Sequence, residues 1–256
     1  MGVDVAGQPP AHRRKKFVKK PIGNTLDRCN LRRHKLRKRT IRLDTLNVHG
    51  IRNKTGEIIK CLEELKQDIT ILTETKKKGN GVEILRPNLH FESEVSKEKR
   101  AKRGASVLVK KRYKRYIMTW ETINENTIKL HMNLYGKKLC ILGIYAISDD
   151  ENALVKEDFL EKLNEVIFEI GNSGEILIAG DSNSKTGEKI NNLVAGPFGE
   201  VITDNGDKLI DICEQISTKM LNGYFKHKRI HQYSLHKDTQ ELRSIIITLL
   251  PDKIQV

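Results

Sequence analysis

A chain of 256 residues, 38% of them apolar, is long enough to bury one large core, and 18 glycines with 6 prolines exclude a low-complexity chain. Its four cysteines (Cys29, Cys61, Cys140, Cys213) lie far apart and form no CxxC pair, which excludes the usual cysteine zinc motifs, argues against a disulfide framework and points to reduced thiols. The formal charge of +14 is uneven: residues 1–40 carry thirteen Lys/Arg against Asp4 and Asp27, a net of +11, whereas 41–256 holds 34 basic and 31 acidic residues. No apolar run approaches the ~20 residues a membrane helix needs, and the N-terminus lacks the apolar stretch of a secretory leader. Met1-Gly2 is followed by Ala6 where myristoylation wants Ser or Thr.

In chain order, the basic runs RRKKFVKK and LRRHKLRKRT of residues 1–40 repel themselves and are expected to be disordered. They suit a nuclear-import signal or a phosphate-gripping arm, or a solvated tail without a specific role. IRLDTLNV (41–48) reads as a strand. TGEIIKCLEELKQ (55–67) places Ile58, Ile59, Leu62 and Leu65 on one helical stripe. DITILTET (68–75) is a short apolar strand, and KKKGNG (76–81) is a loop by its glycines. GASVLVKKRY (104–113), NTIKLHMNLY (126–135) and KKLCILGIYA (137–146) are strand-like, with Tyr135-Gly136-Lys137 turning a hairpin between the last two.

The strongest helix is 153–172, with Leu160, Leu163, Ile167 and Ile170 on its stripe and Gly171-Asn172 at its end. EILIAGDSN (175–183) is a strand, and NGDKLIDICEQIS (205–217) is a helix on Leu209, Ile212, Cys213 and Ile216. HQYSL (231–235) and SIIITLL (244–250) read as final strands. Strands outnumber helices and adjoin through short turns, so an α+β sandwich is expected rather than a doubly wound parallel sheet.

Four apolar strands each carry polar groups to their ends: Asn47, Glu74, Tyr145, and the pair Asp181 and Asn183. Residues two apart on a strand face the same way, so Asp181 and Asn183 project together if the strand continues, with Ser182 opposite. An Asx turn that merely caps the chain is the alternative. If the four ends converge, a carboxylate with an amide can hold Mg²⁺ through oxygen. A second carboxylate can handle the proton of an attacking water, while an amide and a phenol hydrogen-bond phosphate oxygens.

The segments TLNVHGIR, TILTETK, GIYA and GDSN, in that order, resemble the endonuclease/exonuclease/phosphatase superfamily. RGASVLVKKRYKRYI, GPFGE, NGDKLIDICEQ and FKHKRIHQYS further resemble its retrotransposon-derived branch, in particular craniofacial development protein 2-like sequences. The resemblance covers residues 41–250. It implies a four-layer αββα sandwich of DNase I type and a hydrolase cutting phosphodiesters in nucleic acid, DNA first, with Mg²⁺ or Mn²⁺ as cofactor. It makes Glu74 and Asn47 the metal residues and Tyr145 the phosphate-contacting tyrosine. Asp181 becomes the residue that handles the attacking water or leaving group, and Asn183 the amide that holds the phosphate.

The chain departs from that pattern at several points. Ser182 stands where the superfamily carries an aromatic, and a lost buried ring is expected to cost roughly 3–5 kcal/mol. Leu235 replaces a tryptophan, Ile247 an aspartate and Thr248 a tyrosine. The late Ser-Asp-His motif is expected to be missing from a domain short at its C-terminal end, which would leave SIIITLL nearer a sheet edge. His227, His231 and His236 come too early to replace that histidine. Three readings follow: an endonuclease with impaired catalysis, a silent relic that binds nucleic acid, or a protein-interaction module on the same sandwich.

Overall fold

Two mixed β-sheets pack face to face, with helices on both outer surfaces, in a computed structural model that describes residues 40–95, 103–171, 174–187, 192–198, 201–225 and 246–251. The first sheet is built from β1 (Leu43–Asn47), β2 (Ile69–Thr73), β3 (Gly79–Leu85), β4 (Asn88–Val95) and β5 (Ala105–Lys110) in the order β1-β2-β5-β4-β3. The second contains β6 (Ile117–Asn124), β7 (Thr127–Leu134), β8 (Lys137–Tyr145), β9 (Glu175–Asp181), β10 (Thr218–Met220) and β11 (Ile246–Pro251), ordered β10-β11-β9-β8-β7-β6. β1 runs parallel to β2 and β8 parallel to β9, while the other pairings are antiparallel.

Strand alternation sorts the side chains into three apolar layers. Ile69 and Ile71 of β2 meet Ile141 of β8 and Leu177 and Ala179 of β9 between the sheets. Leu72 and Leu108 face outward and are covered by Ile58 and Leu62 of α1 (Thr55–Glu64). Leu142, Ile144 and Ile178 face outward from the second sheet. There they pack with Phe159, Leu163 and Ile167 of α2 (Ala153–Ile170) and with Leu209, Ile212 and Cys213 of α3 (Asp204–Gln215). Burial on both faces explains why DITILT reads as a continuous apolar run rather than an alternating one. The result is the αββα sandwich that the sequence leads one to expect.

Local chemistry sets the boundaries. The Asn152 side chain caps α2 by accepting from the Leu154 N–H at 2.8 Å. Thr203 caps α3 through the Gly206 N–H, and Asp204 and Asp207 lie in its positive first turn. Tyr135 and Gly136, at φ 55° and 92°, make the tight turn between β7 and β8. α1 stops at Glu64, short of residue 67, because Lys66 adopts φ 57°.

Three sequence expectations change. Residues 76–81 are not all loop, since β3 begins at Gly79. β4, β6 and β10 are strands that the pattern did not announce. The segment SIIITLL does not lie at an edge: β11 pairs with β9 on one side and with β10 on the other. HQYSL, the three histidines 227, 231 and 236, and residues 1–39 fall outside the described residues.

Candidate active site

Both parallel pairs deliver their C-terminal ends to one end of the sandwich. β1 and β2 pair up to Asn47 opposite Thr73, and β8 and β9 up to Tyr145 opposite Asp181. The two pairs pack across the inter-sheet core. By parity, Asn47 lies on the same face of β1 as Leu43, which packs against the inter-sheet core. Tyr145 and Asp181 share the inward faces of Ile141 and of Leu177 and Ala179. Strict alternation would send Glu74 outward with Leu72. Instead Glu74 has φ 52°, and its carboxylate meets Asn47.

All five expected side chains are brought together. The Asn47 amide donates to Glu74 Oε1 at 2.9 Å. Glu74 and Asn183 lie close enough to the Tyr145 hydroxyl to act on it electrostatically, as does the charge of Asp181. The Asn183 Nδ2 donates to the Ala146 carbonyl at 2.7 Å, and its backbone N–H donates to Asp181 Oδ1 at 3.1 Å. β9 ends at Asp181, so Asp181 and Asn183 form an Asx turn, with Asn183 at φ 45°. Asp181 is buried, with 2% of its surface exposed.

The sequence did not announce two further members. The His49 backbone N–H donates to Asn47 Oδ1 at 3.2 Å, and His49 Nδ1 lies 3.0 Å from Glu74 Oε2. The Lys76 ammonium is 3.0 Å from the same oxygen. Spacing was the available signal for His49: Asn47 and His49 repeat the i, i+2 relation of Asp181 and Asn183, and His49 is likewise left-handed at φ 46°. Four of the eight left-handed non-glycine residues described (His49, Glu74, Lys76, Asn183) cluster here. Such conformations cost about 1–3 kcal/mol each and persist where the surroundings over-determine them.

The backbone around these residues is pinned. Gly50 N–H donates to the Glu74 carbonyl at 2.7 Å, and Ala146 N–H donates to the Asp181 carbonyl at 2.8 Å. Asn126 clamps Tyr145 from the turn between β6 and β7: its carbonyl accepts from the Tyr145 N–H and its side-chain amide donates to the Tyr145 carbonyl.

Burial opposes ionisation of Glu74. Hydrogen bonds from Asn47 and Lys76, with the charges of His49 and Lys76, outweigh it and hold the carboxyl below its ordinary value. Tyr145 is pushed far up, first by burial and then by the negative charges of Glu74 and Asp181, so its phenol stays protonated and remains a donor. An ionised carboxylate that already draws the Lys76 ammonium and the His49 ring to one oxygen, with an amide on the same end of the sandwich, offers the oxygen donors a hard divalent ion takes.

Ser182 points away from the site, as its parity requires. It lines a cavity of about 10 Å³ with Ile144, Phe159, Leu163 and Leu209, beneath α2 and α3. Its hydroxyl accepts from Ser184 Oγ at 2.8 Å. No ring-sized hole lies beside the serine. In β11, Ile246 pairs with Asp181 and Ile247 with Gly180.

The same sandwich occurs among solved structures of nucleases and of a 3′ phosphatase. The AP endonuclease LMAP of Leishmania major superposes with a TM-score of 0.62 at 12% identity, over 81% of this chain and 78% of that one. The endonuclease domain of TRAS1, a telomere-specific non-LTR retrotransposon, gives 0.57 at 15% identity over 83% and 85%. The 3′ phosphatase NExo from Neisseria, solved with a product DNA hairpin, gives 0.60 at 11% identity over 83% and 87%. No protein-family model and no curated protein matches the chain in sequence. Among the described residues no helix is long and apolar enough to cross a membrane.

Proposed function

We propose that the chain is a divalent-metal-dependent phosphodiesterase acting on nucleic acid, DNA first, as an endonuclease of the retrotransposon-derived type whose catalysis is weakened. The observation that carries this reading is the convergence of Asn47, Glu74, Tyr145, Asp181 and Asn183 at the ends of two parallel strand pairs. The nuclease and phosphatase neighbours support it through fold alone.

In this reading Glu74 and Asn47 hold the cation, and Lys76 and His49 give way at Glu74 Oε2. Bound there, Mg²⁺ or Mn²⁺ supplies Lewis-acid polarisation of the phosphodiester. Asp181 orients the attacking water and takes its proton. The Asn183 amide and the Tyr145 hydroxyl donate to the phosphate oxygens, and the raised Tyr145 keeps its proton for that purpose. Weakening is attributed to Ile247, where the resembled family carries an aspartate beside this end of β9. The basic segment 1–40 adds a salt-sensitive grip on phosphate and directs the protein to the nucleus.

Nicking of supercoiled DNA with Mg²⁺, compared with Glu74→Gln, tests the proposal. Slow nicking abolished by Glu74→Gln supports it. Nicking that persists in that variant refutes the assignment. Salt-sensitive DNA binding without any nicking favours the silent, nucleic-acid-binding reading, for which Ile247 is the specific argument.

A further inference from the structure

The outward face of the first sheet carries a second cluster of ionisable side chains that phosphodiester chemistry leaves unused. Glu83 on β3 stands opposite His90 on β4, and Glu92 lies two residues along on the same face. Phe91, between them, points the other way into the inter-sheet core. This hairpin is at the edge of the sheet away from β1, so the cluster is separate from the strand ends that hold Glu74.

One ligand atom from each of Glu83, His90 and Glu92 lies within 4.8 Å of the others. His90 is 0% exposed, and its Nε2 is held by Ser106 Oγ at 2.9 Å, which fixes the ring. Its Nδ1 sits 3.0 Å from Glu92 Oε1. His90 Nδ1 has no hydrogen-bond partner of proper geometry, while Glu92 Oε1 is held only by an ion pair. Two donor atoms at that spacing, not aligned on each other, are placed as neighbouring ligands of one ion. Metal–ligand distances of about 2.0–2.2 Å put such neighbours roughly 2.8–3.5 Å apart. A cation is already drawn to the spot: the Lys77 ammonium lies 2.6 Å from Glu83 Oε2 and 2.5 Å from Glu92 Oε1.

We propose that Glu83, His90 and Glu92 form a Zn²⁺ site, with Lys77 as the ammonium that a bound ion displaces. One imidazole with two carboxylates suits Zn²⁺ and leaves a position for water, whereas Mg²⁺ prefers an all-oxygen shell. Ser106 orients the histidine as metal-ligating rings require. The bound ion ties β3 to β4 at the sheet edge. It does so whether or not the chain cuts nucleic acid.

The test is calorimetric titration of ZnCl₂ into the full-length Glu74→Gln protein with Mg²⁺ in excess, repeated with Glu83→Gln and Lys77→Met added. Glu83 is exposed, so its replacement leaves the core intact. The expected result is one Zn²⁺ equivalent that Glu83→Gln weakens by at least about tenfold and Lys77→Met tightens. Co²⁺ in place of Zn²⁺ should give visible d–d absorption that His90→Gln removes. Absence of Zn²⁺ binding, or an affinity unmoved by Glu83→Gln and Lys77→Met, overturns the proposal and leaves Lys77 as the only cation the cluster takes.

Discussion

Replacing Ser182 with phenylalanine, the kind of residue the resembled superfamily carries there, should destabilise this protein rather than repair it. At about 24 cal/mol per Å³, the cavity of about 10 Å³ beside Ser182 costs only about 0.2 kcal/mol. A hole on the order of 100 Å³, as a simply deleted ring would leave, would cost about 2.4 kcal/mol by the same coefficient. The packing of Phe159, Leu163 and Leu209 has therefore already collapsed onto the serine. A ring inserted there overpacks the site, at about 1–3 kcal/mol, and takes from the buried Ser184 hydroxyl its acceptor. With about 1–3 kcal/mol for the unsatisfied hydroxyl, the total of about 2–6 kcal/mol corresponds to a fall in melting temperature of roughly 4–24 °C for a domain of this size. Urea unfolding with an unchanged m-value measures it. Adding Ser184→Ala should recover the hydrogen-bond part and not the overpacking part. A Ser182→Phe protein at least as stable as its parent would show that room for the ring exists and would refute the collapse.

Gly180→Ala should be more damaging, by about 3 kcal/mol or more, because the added Cβ would meet the Ile144 carbonyl oxygen at 1.9 Å in a backbone at φ 142°; loss of cooperative unfolding or of expression is the readout. Glu74 has a lowered pKa in the folded state, so its ionised form contributes stability above the unfolded value of about 4.3. That contribution should vanish as pH falls through the lower folded value, seen as melting curves of wild type and Glu74→Gln approaching one another below about pH 4. Tyr145 should add no phenolate absorbance at about pH 10, where an ordinary tyrosine is half ionised; a phenolate signal that Tyr145→Phe removes there would contradict its placement. If nicking is observed, Asp181→Asn should lower its rate by about 10²–10⁴ while DNA binding changes little.

What the sequence made legible, and what it hid, follows from how each segment is buried. α2 and α3 bury single apolar stripes, and β2 is buried on both faces, so each prints its period in the chain. β3 reads GNGVEIL, with turn residues first and most of its side chains exposed, and so looks like a loop. β4 reads NLHFESEV, in which His90, Glu92 and Ser93 are polar yet buried; they have polar partners on the same sheet that no local pattern reveals. The five strand-end residues were legible because each interrupts an apolar run. The orientation of Glu74 was not, since alternation alone sends it to the wrong face. His49 and Lys76 come from residues that read as ordinary loop, and only the fold brings them to one carboxylate oxygen.

The Asx turn and the chemical site, which the sequence offers as alternatives at GDSN, are one arrangement. Asp181 Oδ1 accepts the Asn183 N–H, and that bond supports Asn183 at φ 45°. In that conformation the Asn183 amide reaches the Ala146 carbonyl and Tyr145. The first sheet repeats the device: Asn47 Oδ1 accepts the His49 N–H, His49 is left-handed, and its ring reaches Glu74. Each parallel strand pair thus ends in a polar side chain that bends its own backbone and so aims a second side chain inward. A residue at such a position serves the turn and the site through the same hydrogen bond. Asn183→Ala should accordingly disturb Tyr145, whereas Asn183→Gly, which keeps the turn and removes the amide, should leave stability nearly unchanged and still lose nicking. Equal loss of stability in both variants would mean that the amide, not the turn, holds this end of β9 in place.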